Sequence, residues 1–280
     1  MKGIYNMHKI LVANRGEIAI RIINACKEMN IKTVAIYSEA DNDALHTKLA
    51  DEAICIGPAS PIKSYLNIKN IIEAAYISGA DAIHPGVGFL SESAKFAKIC
   101  EESNIKLIGP DSKYIELLGN KLKARNFVKK YRIPVIPGSD GSLQGIQDAI
   151  SVAKKVGYPI VLKATAGGGG KGIKIINNKD ELEKNYHIVK KIAKRWFDND
   201  EIYLEKLIKN PKHIEVQILA DKFQNVVHLG ERDCSIQRNH QKLIEETPSV
   251  MIDKKLRRKI EQMAIRIAKL VDYSSCGTVE

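Results

Sequence analysis

The stretch that decides the fold is Lys163-Ala-Thr-Ala-Gly-Gly-Gly-Gly-Lys-Gly172. The apolar run Tyr158-Pro-Ile-Val-Leu-Lys163 before it predicts a buried strand, and Ile173-Lys-Ile-Ile176 after it predicts a second one. Together they predict a β-hairpin whose turn carries almost no side chains. Glycine lets backbone N–H groups come close to an anion, and a lysine at each end of the turn supplies positive charge. We therefore predict a flap that binds a nucleotide polyphosphate.

Other interpretations of this glycine run fit less well. A flexible tether is the simplest one, but tethers are rarely so short and so closely flanked by β-rich segments. A Walker loop needs Ser or Thr after Lys171-Gly172 and then a helix, whereas Ile173 begins a β-branched run. A dinucleotide-binding fingerprint is also missing, because Asn14-Arg-Gly-Glu17, after the first predicted strand, contains one glycine. The pattern thus favours a phosphate flap between two strands.

The rest of the chain divides into two patterns. Residues 1–118 alternate short β-rich runs with helical periods, which predicts a parallel α/β layer with crossover helices. Around and after the hairpin, the sequence predicts antiparallel strands and two long helices. These are a helix capped by Asp180 (Asp180–Trp196), strands at Ile202–Lys206, His213–Leu219 and Val226–Leu229, a helix at Asp253–Val271 and a strand at Gly277–Glu280. The polar segment around Gln237 and His240 is predicted not to be a plain strand.

Composition excludes several classes of protein. The chain has 280 residues, and no apolar run approaches the ~20 residues that a membrane helix needs. We find no signal-peptide core, and the five cysteines are scattered, so a cytosolic protein without a zinc site is expected. The net charge of +11 suggests nucleic-acid binding, but the densest lysine runs fall in helical patterns, where a solvated helix face explains them more simply.

Four motifs in this order resemble the biotin carboxylase family, the ATP-grasp component of acetyl-CoA carboxylase and related enzymes. They are Asn14–Arg21, His84–Glu92, the glycine flap and Glu231–Lys242. The resemblance runs from about Lys9 to the last residue. It implies an α/β fold in which a Rossmann-like domain (1–118) precedes an incomplete ATP-grasp domain (119–280) with a small flap lobe at about 135–206. It also implies use of ATP, Mg²⁺ or Mn²⁺, and bicarbonate to form carboxyphosphate and then to carboxylate biotin.

The resemblance assigns a role to individual residues. Lys242 matches a lysine of the bicarbonate site, where a small anion needs a cation near the γ-phosphate. Glu280 matches the first of two metal-binding glutamates. The residues that match nucleotide contacts are Lys121, Lys163, Gly169, Gly170, the adenine hinge Glu205, Lys206, Leu207 and Ile208, then His213, Gln237, His240 and Glu280. Outside the resemblance, Lys121 would be read as a surface lysine and His213 as a structural histidine. Cys234 receives no role and could equally be a small core residue.

The sequence also departs from the family pattern. Val87 replaces a usual tyrosine, Ala166 replaces a glycine, and Lys171 replaces an arginine, which keeps the charge but loses bidentate geometry. The family's second metal glutamate, an asparagine and an arginine–glutamate set have no positions here. We therefore expect a fragment that retains weak nucleotide affinity and does not turn over alone.

The expected partners of the full-length protein are a biotin carboxyl carrier protein, carboxyltransferase subunits and a second copy in a homodimer. The expected setting is fatty acid synthesis in the cytoplasm or plastid stroma, with neither nucleic acid nor membrane as a partner. Two other functions stay open. One is another ATP-grasp ligase of the carbamoyl-phosphate synthetase type, and the other is a non-catalytic nucleotide-binding module.

Overall fold

A computed structural model describes residues 7–165, 172–238 and 241–280. The chain divides into two compact units, Met1–Glu116 and Leu117–Glu280. Across the described residues, none of the helices is both long and apolar enough to cross a membrane. The predicted turn of the flap, with Ala166, Gly169, Gly170 and Lys171, lies outside the described residues, as does His240.

The first unit contains a five-stranded parallel sheet in the order β3-β2-β1-β4-β5. Its strands are β1 (Lys9–Val12), β2 (Lys32–Ser38), β3 (Glu52–Gly57), β4 (Ala82–His84) and β5 (Lys106–Leu107), and its helices are α1 (Gly16–Glu28), α2 (Leu45–Leu49), α3 (Ile68–Ser78) and α4 (Ala94–Glu102). Side chains such as Leu11, Ile36, Ile83 and Phe96 are fully buried. Parallel strands need crossover helices on their faces, so both faces are apolar. The predicted parallel layer is confirmed.

The motif at His84–Glu92 follows β4 and is fixed by the segment that follows β1. The side-chain amide of Asn14 donates to the carbonyl oxygens of Pro85 and Val87, both at 2.8 Å. Gly86 between them has φ +66°, and a Cβ there would lie 2.7 Å from the Asn14 amide nitrogen. Only glycine fits this close approach.

α5 (Ser112–Gly119) contains the boundary between the two units, and α6 (Lys121–Lys130) is the first helix that lies wholly in the second unit. The first sheet of this unit has three antiparallel strands in the order β7-β6-β8: β6 (Ile160–Ala164), β7 (Ile173–Ile176) and β8 (Ile202–Lys206). The β6–β7 pairing runs from Ile160 with Ile176 to Lys163 with Ile173, so the predicted hairpin is confirmed. α7 (Ile146–Val156) and α8 (Lys179–Phe197) bury their apolar faces against these strands.

One helix cap differs from the prediction. α8 begins one residue earlier than expected, and its N-cap is Asn178, whose side-chain oxygen accepts the backbone N–H of Glu181. Asp180 lies in the first turn, where its charge faces the positive end of the helix dipole. Both residue types suit a cap, so composition alone could not decide the position.

The second sheet of this unit has four antiparallel strands in the order β11-β10-β9-β12. They are β9 (Ile214–Ala220), β10 (Val226–Arg238), β11 (Gln241–Glu246) and β12 (Ser275–Val279), and α9 (Lys254–Leu270) packs against β9 and β10. The predicted β9–β10 pairing is confirmed. The polar segment before residue 240, predicted not to be a plain strand, belongs to β10, which continues to Arg238 with two register shifts against β11. Its polar side chains pair with one another across the sheet.

Candidate functional site

Lys163 lies on β6 and forms an ion pair with Glu205 on the adjacent strand β8. The two residues lie on the same face of the sheet, because Lys163 is opposite Tyr203, two positions before Glu205. The glutamate is 7 % exposed. The predicted phosphate-binding lysine and the predicted hinge carboxylate are thus paired with each other.

The predicted adenine hinge is tied into the lobe by its neighbours. The backbone N–H of Lys206 donates to the Pro137 carbonyl at 2.8 Å, and that of Leu207 donates to Pro159 at 3.1 Å. The Lys206 ammonium group donates to two further carbonyl oxygens, those of Gly157 and Tyr158. Its side chain therefore anchors the strand, while Ile208 is about half exposed.

Lys121 is the first residue of α6, and the helix is capped by Asn120, whose side chain accepts the N–H groups of Leu122 and Lys123. The position of the Lys121 side chain lies outside what the structure describes. Its role stays a prediction.

Lys242 on β11 lies in a cluster of opposite charges on the four-stranded sheet. Its ammonium group contacts the carboxylate of Glu215 and lies 2.9 Å from Oε1 of Glu280. Arg232 on β10 binds the other carboxylate oxygen of the same Glu215 and donates from Nη1 to the side-chain oxygen of Gln217 at 3.0 Å. One carboxylate, 2 % exposed, therefore binds two cations.

The charges of this cluster fix its protonation states. Burial opposes the charged form of Lys242, but the bonds to Glu215 and Glu280 outweigh it and raise the pKa of the ammonium group. Burial likewise opposes ionisation of Glu215, but Lys242 and Arg232 outweigh it and lower the pKa of that carboxyl group. The cluster therefore presents a fixed positive charge beside an ionised carboxylate at neutral pH.

His213, immediately before β9, has its tautomer set by Gln237. The Gln237 side chain lies 3.0 Å from the Cys234 carbonyl oxygen, which can only accept, so the contacting atom is the amide nitrogen. The same amide nitrogen lies 3.1 Å from Nδ1 of His213 and donates its second hydrogen to that atom, so Nδ1 is the acceptor. A neutral imidazole then carries its own proton on Nε2, 3.4 Å from Oε1 of Glu280.

Glu280 is the point where these groups converge. Its carboxylate is half exposed and lies within reach of both Lys242 and His213. Donor atoms of His213, Glu215 and Glu280 all lie within 4.8 Å of one another. The structure thus brings together four predicted residues, namely His213, Gln237, Lys242 and Glu280.

Sequence reasoning missed Glu215 and Arg232. Glu215 lies on the polar face of the alternating run His213–Leu219, and Arg232 lies within the motif Glu231–Lys242. The only signal that could have identified either residue was a charged side chain within a strand. Period-two alternation predicted an outward polar face, but here that face is covered by charged partners. Cys234 is fully buried, and burial raises the pKa of its thiol to about 11. It is therefore an unreactive core residue by geometry.

The chain was compared with known proteins. Residues 6–115 match the family described as biotin carboxylase, N-terminal domain, and residues 120–280 match the family described as carbamoyl-phosphate synthase L chain, ATP binding domain. Biotin carboxylase 1 of Bacillus subtilis is 50 % identical over 97 % of this chain and 60 % of its own length. Pyruvate carboxylase of the same organism is 51 % identical over 98 % of this chain and 24 % of its own length.

Two solved structures are similar. The Campylobacter jejuni biotin carboxylase complex with β-γ-ATP has a TM-score of 0.95 at 50 % identity and covers 98 % of this chain and 61 % of its own. The Hydrogenobacter thermophilus 2-oxoglutarate carboxylase biotin carboxylase domain dimer, with MgADP, ADP and bicarbonate, has a TM-score of 0.93 at 50 % identity, covering 97 % and 60 %. The chain thus spans about 60 % of the length of several relatives that it matches.

Proposed function

Because the chain belongs to the biotin carboxylase family, we propose that the whole protein uses ATP and bicarbonate to carboxylate biotin on a carrier protein. We further propose that residues 1–118 form its N-terminal domain and residues 119–280 its nucleotide-binding domain, with a flap lobe at about 135–206. The observation that carries this proposal is the cluster in which Lys242 and His213 both contact the carboxylate of Glu280, while Lys242 also contacts Glu215.

The proposed chemistry depends on charge more than on covalent catalysis. Phosphoryl transfer needs the charge of the phosphates neutralised and the acceptor held in line. We propose that Lys163 turns from Glu205 to a phosphate oxygen and that Gly169 and Gly170, which the resemblance assigns to the nucleotide, cover the phosphates. Lys242 would hold bicarbonate beside the terminal phosphate, where a fixed cation lowers the cost of bringing two anions together.

The residues present fit a magnesium ion bound together with the nucleotide. Mg²⁺ in nucleotide sites takes one or two carboxylates and completes its shell with phosphate oxygens and water. Glu280 offers a half-exposed carboxylate beside His213 and Lys242. The ion would supply neutralising charge to the phosphates. The Nε2 atom of His213 makes no hydrogen bond within the described residues, so we propose that it donates to a phosphate oxygen.

Partners follow from the same proposal. We propose a biotin carboxyl carrier protein, carboxyltransferase subunits and a second copy of the chain as partners of the whole protein. Relatives include chloroplastic and bacterial biotin carboxylases, which supports the cytoplasm or the plastid stroma as the setting and the first half-reaction of acetyl-CoA carboxylase, in fatty acid synthesis, as the role.

Calorimetric titration of Mg·ATP into the 280-residue chain tests the nucleotide site, and a coupled assay of ADP release with bicarbonate and free biotin tests turnover. We expect binding without turnover, because this chain spans only about 60 % of the length of the relatives it matches. Turnover at the rate of a full-length biotin carboxylase would contradict the expected inactivity. Absence of any binding heat, with Mn²⁺ as well as Mg²⁺, would contradict the proposed nucleotide site. ADP release that bicarbonate stimulates and biotin does not would favour the carbamoyl-phosphate synthetase type instead.

A further inference from the structure

The main chain of His213 is held on both sides by β10. Its carbonyl oxygen accepts the N–H of Cys234 at 2.8 Å, which is an ordinary contact between the two strands. Its own N–H donates to the side-chain oxygen of Ser235 at 3.0 Å. The second contact is unusual, because a hydroxyl takes the place of a backbone carbonyl.

A break in the strand explains why a side chain is needed there. The β10–β11 register shifts between Asp233 and Ile236, so β10 is bulged at Cys234–Ser235. The β9–β10 ladder ends where Asp233 pairs with Ile214, one residue after His213. A bulge leaves a residue outside the regular ladder, so its neighbours need other partners. The Ser235 hydroxyl provides one.

The direction of the hydroxyl is set by Asp233. A hydroxyl has one proton, and that of Ser235 goes to Oδ1 of Asp233 at 2.5 Å, so its lone pair is left to accept the N–H of His213. The backbone N–H of Ser235 donates to the same oxygen at 3.0 Å. The bond from the Ser235 hydroxyl is the main reason that the pKa of Asp233 lies below its usual range, although burial opposes it.

Asp233 is itself anchored away from the ligand groups. It is 6 % exposed, and its second oxygen accepts the hydroxyl of Ser249 at 2.9 Å. The backbone N–H of Ser249 donates to Glu231, which also binds Arg257 at the start of α9. The chain of bonds therefore runs from a helix to the backbone of His213.

We propose that Asp233 is a positioning residue that orients the Ser235 hydroxyl and thereby holds His213 with its Nε2–H directed at the bound nucleotide. The inference rests on the proposed function, since it needs a nucleotide at His213. Among the described residues, the hydrogen bonds of Asp233 go to Ser235 and Ser249 and to no predicted ligand-binding side chain, so its effect on affinity passes through Ser235.

The test compares four variants of the 280-residue chain. Asp233→Ala and Ser235→Ala each lower the affinity for Mg·ATP about fivefold, the equivalent of one net hydrogen bond, and speed hydrogen exchange at the His213 amide. Asp233→Asn keeps an acceptor at Oδ1 and restores the affinity to within about twofold. Ser249→Ala is the matched control, because it removes the other bond to Asp233 and leaves Ser235 and His213 untouched. Affinity is measured by calorimetry and exchange by NMR.

The outcomes separate the two claims. If the unaltered chain bound no Mg·ATP, the proposed function and this inference would fall together. If the unaltered chain bound it and Ser235→Ala bound it equally well, the inference alone would be overturned. The same holds if Ser249→Ala weakened binding as much as Asp233→Ala, because the effect would then be one of general stability. Should Asp233→Ala not fold, Ser235→Ala with the same two measurements decides the question.

Discussion

Lys163 and Lys242 have similar exposure, and each contacts a buried glutamate, but the two glutamates differ in the number of cations they bind. Glu205 receives Lys163 directly from the adjacent strand, and no second cation contacts it among the described residues. Glu215 receives Lys242 across β10, and that intervening strand contributes Arg232 as well. This difference sets the free-energy cost of moving each lysine from its glutamate to a bound anion.

An unpaired buried charge is expensive, whereas a buried charge with a remaining partner is not. If Lys163 turns to a phosphate, Glu205 loses its cation, so the nucleotide must compensate for that loss. If Lys242 turns to bicarbonate, Glu215 keeps Arg232, which Gln217 holds in place. We infer that moving Lys242 to a small anion leaves Glu215 with a cation, whereas moving Lys163 to a phosphate leaves Glu205 with none among the described residues.

The sharpest test removes each carboxylate in turn. Glu215→Gln leaves Lys242 and Arg232 facing each other without their shared anion and should lower the free energy of unfolding by about 3 kcal/mol. Glu205→Gln frees only Lys163, whose part-exposed ammonium group can turn to water, and should cost about 1 kcal/mol. Urea denaturation of both variants measures the difference. Equal losses of unfolding free energy in the two variants would show that the second cation, Arg232, does not make loss of the Glu215 charge more destabilising.

Replacing the lysines should give the opposite order of effects on nucleotide affinity, with the larger loss at Lys163. Lys163→Met removes a charge-assisted bond to phosphate and should weaken Mg·ATP binding about thirtyfold, which corresponds to about 2 kcal/mol. Lys242→Met should change it by less than about threefold, because Lys242 is assigned to bicarbonate. Calorimetry gives both values, with the unfolding midpoint of each variant as the control. A larger loss for Lys242→Met would reverse the two assignments.

Sequence reasoning reached these two sites unequally. The hairpin carrying Lys163 was predicted from local signals alone, because apolar β-branched runs on both sides of a glycine turn define it. The parallel sheet was predicted from its alternation for the same reason. Lys242 was placed by a motif, but its partner Glu215 lies 27 residues away in sequence, and only the antiparallel register brings them together. A period-two pattern reveals which residues of a strand lie on the same face, but it does not reveal which charged residues of neighbouring strands pair on that face.

The role of β10 could not be predicted for a related reason. Its polar residues looked unlike a strand, because propensity assumes that strand side chains are apolar or solvated. In the structure Arg232, Asp233 and Ser235 are satisfied by partners from β9 and from the segment before α9. Tertiary pairing therefore overrode local composition.

Acid provides a further test of the Glu215 cluster. The folded state favours ionised Glu215, since the pKa of its carboxyl group is lowered by Lys242 and Arg232 against the effect of burial. The stability that Glu215 contributes is therefore fully present above its ordinary pKa and is lost as the pH falls through the lowered value. The stability difference between the unaltered chain and Glu215→Gln should narrow from pH 6 to about pH 3. A constant difference would mean that the glutamate acts by shape and not by charge.

The smallest effect concerns the proton of His213, which contacts Glu280 of the Lys242 cluster and is predicted to bind the nucleotide. Gln237 donates to Nδ1, so the neutral ring carries its proton on Nε2, the atom that faces Glu280. Gln237→Glu replaces that donor by an acceptor and should move the proton to Nδ1, with no change of fold. Nitrogen-15 NMR of the imidazole distinguishes the two tautomers directly, with Gln217→Glu as a control that alters an amide on the same sheet without touching His213. If the ring kept its Nε2–H form in Gln237→Glu, Glu280 and not Gln237 would set the tautomer, and the half-exposed carboxylate would be an acceptor for the histidine before it is a ligand for a metal.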